Sequence, residues 1–126
     1  MKTCRSGLHQ YESAQCIECN RIASRAWKEN NPTRYRANWL RHRYWPTLTS
    51  KQALDNYYEM MNAQAGQCAS CGTHQNDLKM ALCVDHDHIT NQIRGLLCKP
   101  CNLAEGYLKS SKNAEGLVQY MKRLGN

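Results

Sequence analysis

From residue 82 the chain runs Leu82-Cys83-Val84-Asp85-His86-Asp87-His88-Ile89-Thr90-Asn91-Gln92-Ile93-Arg94-Gly95-Leu96-Leu97-Cys98-Lys99-Pro100-Cys101-Asn102. An apolar run, Met80 to Val84, suits a strand and leads into four consecutive ionisable residues, Asp85 to His88. A turn at Thr90-Asn91-Gln92 separates these from a second short strand, Ile93 to Leu97. Pro100 stands where a helix can begin, and the helical pattern continues from Asn102 to about Ser110. Four ionisable side chains in a row at the end of a strand pack badly. They call for a chemical explanation, the alternative being a solvated loop or an adventitious metal site.

Working outward, Cys98-x2-Cys101 closes this stretch and Cys68-x2-Cys71 precedes it, with Gly72 directly after the first pair. A Cys-x2-Cys turn puts two sulfurs on one side of a tight loop, where a tetrahedral Zn²⁺ takes both. Cys68, Cys71, Cys98 and Cys101 are therefore expected to form one four-thiolate zinc site. A second, looser set stands at the N-terminus as Cys4-x4-His9-x6-Cys16-x2-Cys19, in which His9 is the weakest member. Cys83 lies between Leu82 and Val84 and is expected to be a buried structural thiol. Both zinc sites are structural, because four protein ligands leave no open position for water or substrate. Four disulfides are the competing reading of 8 Cys. The absence of an apolar leader after Met1-Lys2-Thr3-Cys4 argues against it.

At 126 residues, with no Phe and 41% hydrophobic content, the chain has material for one thin core that needs metal staples. No apolar run approaches the roughly 20 residues that span a bilayer, so membrane, secretory and fibrous classes are not expected. The net charge is +7, and it is concentrated. Between Asn20 and Pro46 lie Arg21, Arg25, Lys28, Arg34, Arg36, Arg41 and Arg43 against Glu29 alone. Trp27, Tyr35, Trp39, Tyr44 and Trp45 are interleaved with them. Cations alternating with aromatics fit a nucleic acid, whereas a plain solvated helix face has no need of the rings.

The rest of the chain reads as helices. A first segment runs from Asn20 to about Asn30, and a second opens at Pro32 and ends near Tyr44, before Pro46. A third is capped by Ser50, carries Leu54, Tyr57, Tyr58, Met61 and Ala65 as a core stripe, and stops at Gly66. The last is capped by Asn113, with Ala114, Leu117, Val118, Met121 and Leu124 on one face.

Taken together, Cys68-x2-Cys71-Gly72, Val84-Asp85-His86-Asp87-His88, Ile93-Arg94-Gly95-Leu96-Leu97-Cys98-x2-Cys101-Asn102 and Ala104-Glu105-Gly106 resemble the ββα-metal (HNH, or His-Me finger) nucleases. The likeness is to the phage recombination endonuclease VII type, which resolves branched DNA, and it covers roughly residues 48–110. It implies an α+β, mainly helical fold: a small zinc-stabilised ββα-metal core with flanking helices and an N-terminal zinc knuckle. Residues 1–46 would hold the knuckle and basic helices, and 47–126 the nuclease domain. The resemblance implies Asp85 and Asn102 as ligands of Mg²⁺ or Mn²⁺, whose preference for hard oxygen donors they meet. It implies His86 as general base, an imidazole being able to take a proton near neutrality. His88 is a second candidate for base or a phosphate contact, and Glu105 a further metal or water ligand. Arg94 would clamp phosphate, alongside Arg34, Arg36, Arg41 and Arg43. In a regular strand Asp85 and His86 point to opposite faces, so the scheme requires the strand to end there. The turn Asn91-Gln92 departs from relatives that often carry Gly.

The function so implied is metal-dependent hydrolysis of DNA, of branched or nicked substrates, by a phage-encoded protein in the host cytoplasm. A zinc-supported DNA-binding or adaptor module without catalysis is the alternative, as is a nickase working with phage DNA-packaging or DNA-processing proteins. Symmetric junction resolution needs two active sites and hence a homodimer, whereas nicking needs one.

Overall fold

A computed structural model describes residues 1–5, 7–12 and 15–126, which divide into two compact units, Met1–Leu54 and Asp55–Asn126. The fold is α+β and mainly helical.

The first unit opens with strands β1 (Lys2–Thr3) and β2 (Gln10–Tyr11), paired antiparallel. Helix α1 (Ile17–Asn30) begins three residues earlier than the sequence suggested. The reason is Cys16, whose Sγ accepts the Cys19 N–H at 3.4 Å and so caps the helix from within the knuckle. Helix α2 (Pro32–Tyr44) starts on its proline, whose missing N–H costs nothing in a first turn. Ala37 and Leu40 of α2 are buried, as is Ala53 of α3 (Ser50–Ala63), while α1 buries none of its residues.

The cap of α3 is Thr49 rather than Ser50. Thr49 Oγ1 accepts the Gln52 N–H at 3.2 Å, and Gln52 Oε1 accepts the Thr49 N–H at 2.9 Å, a reciprocal capping box. Ser50 instead donates its hydroxyl to Asn38 Oδ1 at 2.6 Å. The expected core stripe of α3 also changes. Tyr57 is buried and donates its hydroxyl to Leu82 O at 2.8 Å, but Tyr58 is exposed, Leu54 and Met61 are half-buried, and Ala65 lies outside the helix.

In the second unit strands β3 (Cys83–His86) and β4 (Ile93–Leu97) form an antiparallel hairpin, followed by α4 (Lys99–Leu108) and α5 (Ser111–Arg123). Strand β3 starts later than Met80 and runs into the ionisable tetrad. Ahead of it a side chain takes the place of a strand partner: Gln75 Oε1 accepts the Leu82 N–H at 2.8 Å, and its Nε2 donates to Met80 O at 3.2 Å. Cys83 is half-buried, not buried. Helix α5 is capped by Ser110, whose Oγ accepts the Asn113 N–H at 3.2 Å, so Asn113 is not the cap. The apolar side chains Leu117, Val118 and Met121 of α5, and Leu124 directly after it, are exposed in this chain. The buried residues of the unit are Tyr57, Cys68, Leu82, Val84, Asp85, Leu96, Leu97 and Cys98.

Gln64 ties the end of α3 to the hairpin. Its Oε1 accepts the Leu96 N–H at 2.8 Å, and its Nε2 donates to Leu96 O at 2.9 Å and Gln67 O at 2.8 Å. One amide thus pairs both backbone groups of a residue that is itself buried, as a neighbouring strand would. Gln64→Ala leaves the Leu96 N–H without this acceptor, a loss of about 1–3 kcal/mol. Urea unfolding of wild type and variant at equal m-value measures it; a change under about 0.3 kcal/mol would mean water replaces the amide without cost.

Candidate functional site

Two clusters of metal-ligating atoms form among the described residues, and they are the two that the spacing suggested. In the N-terminal cluster the side-chain donors of Cys4, His9, Cys16 and Cys19 lie within 4.8 Å of one another. The β1–β2 turn brings His9 in: its N–H donates to Cys4 Sγ at 3.3 Å, and its Nδ1 stands 3.4 Å from Cys19 Sγ. His9, the weakest member by sequence, is therefore fully part of the set.

The second cluster joins Cys68 and Cys71 to Cys98 and Cys101, again within 4.8 Å. Its thiols are unequal. Burial opposes ionisation of Cys68, but the N–H groups of Cys98, Cys71 and Ser70 outweigh it and bring the thiol down to about 6. The Cys101 N–H favours a thiolate at Cys98, yet burial and the three neighbouring sulfurs push it up to about 12. Four sulfurs crowded together cannot all ionise alone, whereas a zinc ion compensates them. Both clusters are compatible with structural zinc. Cys98 is also the residue between β4 and α4, so this cluster fixes the start of α4 relative to the hairpin.

The hairpin carries the tetrad. Asp85 pairs with Gly95 and His86 with Ile93, so Arg94 is an extra residue on β4, a bulge. The bulge aims Arg94 at Asp85 across the hairpin. Its Nε donates to Asp85 Oδ2 at 3.0 Å and its terminal nitrogen to Asp85 Oδ1 at 2.9 Å. The same terminal nitrogen lies 2.9 Å from Glu105 Oε1 of α4. Asp85 is only 8% exposed, the one buried charged residue among those described. The bond to Asp85, chiefly, and that to Glu105 hold the guanidinium still more firmly protonated, against the opposing effect of burial. Asp85, Arg94, Cys101 and Glu105 line one open cleft of about 620 Å³, and Arg94 and Glu105 also border a second with His88.

The rings of His86, at the end of β3, and His88, on the turn beyond it, lie against each other with centroids 4.7 Å apart and planes tilted by 50°. Between them Asp87 organises the turn. Its Oδ1 accepts the N–H groups of Ile89 and Thr90, both at 2.8 Å, and the Thr90 and Ile89 bonds hold its carboxyl below the usual carboxylate range. The backbone closes through Asp87 N–H to Gln92 O at 2.9 Å and Asn91 N–H to Asp87 O at 2.8 Å. Asn91 has φ +59°, a left-handed conformation that Asn tolerates, so the departure from Gly is accommodated. Asn102 lies in the first turn of α4, half-buried, with its N–H on Cys98 O at 2.9 Å. The expected Asp85 and Glu105 are thus brought together, through Arg94, while Asn102 does not border that cleft.

In the first unit, Arg21, Arg25 and Lys28 follow one another along a single exposed face of α1. On α2, Arg34 and Arg43 are exposed and Arg36 is half-buried. Arg41 is committed elsewhere, its Nε donating to Leu48 O at 2.8 Å. Lys28 Nζ lies over the Tyr35 ring at 4.9 Å and Arg43 over Tyr44 at 5.6 Å, which accounts for two of the interleaved aromatics. No described helix is long and apolar enough to cross a membrane.

Residues 37–123 match the family described as recombination endonuclease VII. Over 48 residues the chain is 46% identical to the Gene 59 protein of Mycobacterium phage L5, a stretch covering 38% of this chain and 29% of that protein. It is 42% identical over 48 residues to the Gene 59 protein of Mycobacterium phage D29, covering 38% of this chain and 28% of that protein. The family match embraces both halves of the second cysteine cluster, the whole hairpin and the start of α4. With a match over that span, the chain belongs to the recombination endonuclease VII family.

Proposed function

We propose that this protein is a metal-dependent DNA endonuclease of the ββα-metal (HNH, or His-Me finger) type, acting on branched or nicked DNA. The observation that carries the reading is the convergence of Asp85 and Glu105 on one cation, on the hairpin that also carries the paired rings of His86 and His88. A pair of carboxylates that already shares a positive charge is a hard-oxygen donor pair suited to Mg²⁺ or Mn²⁺, toward which Asn102, on the first turn of α4 and outside the cleft, would have to turn its amide oxygen. Asp85, with Asn102 and Glu105, would hold that ion. When bound, it supplies charge stabilisation at the scissile phosphate and the leaving 3′-oxygen.

The chain's own groups do the rest. His86 takes the proton from the attacking water as the new P–O bond forms and the bond to the 3′-oxygen breaks. His88, packed against it, limits how the His86 ring can turn. Asp87 contributes through the turn and not through the reaction, since its acceptor oxygen already serves two backbone N–H groups. Arg94 contacts phosphate, and the basic residues of α1 and α2 bind the DNA backbone without reading bases. The departing 3′-oxygen takes a proton from solvent.

A second reading, a DNA-binding module without catalysis, is favoured by the exposed cationic face of α1, which needs no active site to be useful. Labelled four-way-junction, nicked and linear DNA, incubated with the zinc-loaded chain and Mg²⁺ or Mn²⁺, separates the two. Metal-dependent cutting, ranked junction or nick above linear duplex, is the expected result. Tight binding to all three with no cutting under either metal would leave the binding module.

A further inference from the structure

Arg94 does more than its exposed position on an edge of a two-stranded hairpin requires. A surface arginine is ordinarily worth little where it sits. This one makes a two-pronged bond to a nearly buried carboxylate, and with the same terminal nitrogen reaches a second carboxylate on a different element. It does so from a bulge, the single irregularity of the β3–β4 ladder. Asp85 and Glu105 are the acidic residues that line this cleft, and Arg94 lies on both.

We propose that Arg94 is a stand-in cation: it occupies the place of the divalent metal between Asp85 and Glu105, and must leave for the metal to enter. This rests on the metal-holding role assigned above to Asp85. Two carboxylates facing one seat repel each other and call for a counter-charge between them. A guanidinium balances one of the two charges and spans both groups. A divalent ion balances both, so the exchange is downhill once metal is plentiful. The displaced guanidinium is then free to meet a phosphate, for which its planar fork is suited. The metal-free chain therefore keeps its catalytic carboxylates assembled but closed, and opening the seat releases a phosphate contact in the same step.

The arithmetic follows from competition. A seat closed by Arg94 about nine-tenths of the time weakens apparent metal affinity about tenfold. Titrating Mn²⁺ alone into the zinc-loaded full chain without DNA, and following free Mn²⁺ by electron paramagnetic resonance, reads that factor directly. Arg94→Ala is expected to bind Mn²⁺ about tenfold more tightly than wild type. Its DNA cleavage falls, because the phosphate contact is lost, so affinity for metal and activity move in opposite directions. Arg94→Ala binding Mn²⁺ no better than wild type, while Asp85→Asn abolishes binding, would overturn the stand-in role and leave the metal role of Asp85 standing. No Mn²⁺ bound by wild type or Arg94→Ala would overturn both.

A measurement on the unaltered chain guards against a variant that fails to fold. In the zinc-loaded protein the Arg94 Nε–H should exchange slowly with water and show a distinct ¹⁵N resonance. Saturating Mg²⁺ should abolish that protection. Protection that persists at Mg²⁺ saturation would mean that Arg94 never yields the seat.

Discussion

His86→Ala is expected to lower DNA cleavage by about 10²–10⁴-fold, the usual contribution of a positioned general base, with DNA affinity and folding unchanged. Neither binding nor stability should suffer, because His86 is half-buried at the open end of β3, beyond the buried Val84, and lies far in sequence from the basic helices. His88→Ala should cost less. Its ring supports that of His86 at 4.7 Å but is exposed on the turn, so its loss frees the His86 ring without removing the base. The pH profile supplies an independent check. A base must be neutral to accept a proton, so wild-type cleavage should rise through the imidazole range and level above it. Single-turnover cleavage at saturating metal, measured from pH 5 to 8, tests both points. If the variant with Ala at 88 is the dead one and that at 86 is active, the two roles are exchanged; if both cut like wild type, no imidazole serves as base.

The site was legible in the sequence to the extent that it depends on residue type and spacing. Two Cys-x2-Cys pairs can share a metal only if the chain between them folds back, and Asp85 to His88 had to lie in that fold. Pro32 likewise announced α2, because a proline fixes φ where a first turn wants it. What the sequence did not disclose are features that depend on register or on side chains imitating backbone. The bulge at Arg94 leaves no trace in composition, yet it converts a strand arginine into the partner of Asp85 and Glu105. Gln64 and Gln75 are ordinary polar residues outside any periodic pattern, and each completes backbone pairing at a hairpin strand or its approach. The two misplaced caps have a common cause. Thr49 and Ser110 lie directly before their helices, but Ser50 and Asn113 are equally good cap residues nearby, and propensity alone does not choose between neighbours. Strand β3 ends at His86, and the register shifts between the Asp85 and His86 pairs, an irregularity that composition does not announce.

Loss of the second zinc should have the largest effect on stability. The unit Asp55–Asn126 buries only Tyr57, Leu82, Val84, Leu96 and Leu97 beside its cysteines and Asp85, too little apolar surface to hold two strands and their following helices unaided. The cysteines do what a larger core would do. Cys68 and Cys71 sit on the loop after α3, and Cys98 and Cys101 at the junction of β4 and α4, so one metal bound by all four would close a long loop and set the helix against the hairpin. Structural zinc in small domains contributes on the order of 10 kcal/mol of apparent folding free energy, well above any single hydrogen bond here. Cys98→Ser should therefore lower bound zinc from two ions per chain to one and abolish the cooperative thermal transition of this unit. The pH dependence has a definite sign. Cys98 is pushed up to about 12 without metal and Cys101 is also raised, so zinc binding expels their protons. Affinity must then fall as pH falls. Elemental analysis with circular-dichroism melting of wild type, Cys98→Ser and Cys4→Ser reads this out. The Cys4 variant should also lose one zinc yet keep the transition of Asp55–Asn126, since its cluster lies wholly within Met1–Leu54. Two zinc ions and an unshifted transition in Cys98→Ser would mean that the hairpin and α4 are held by packing alone.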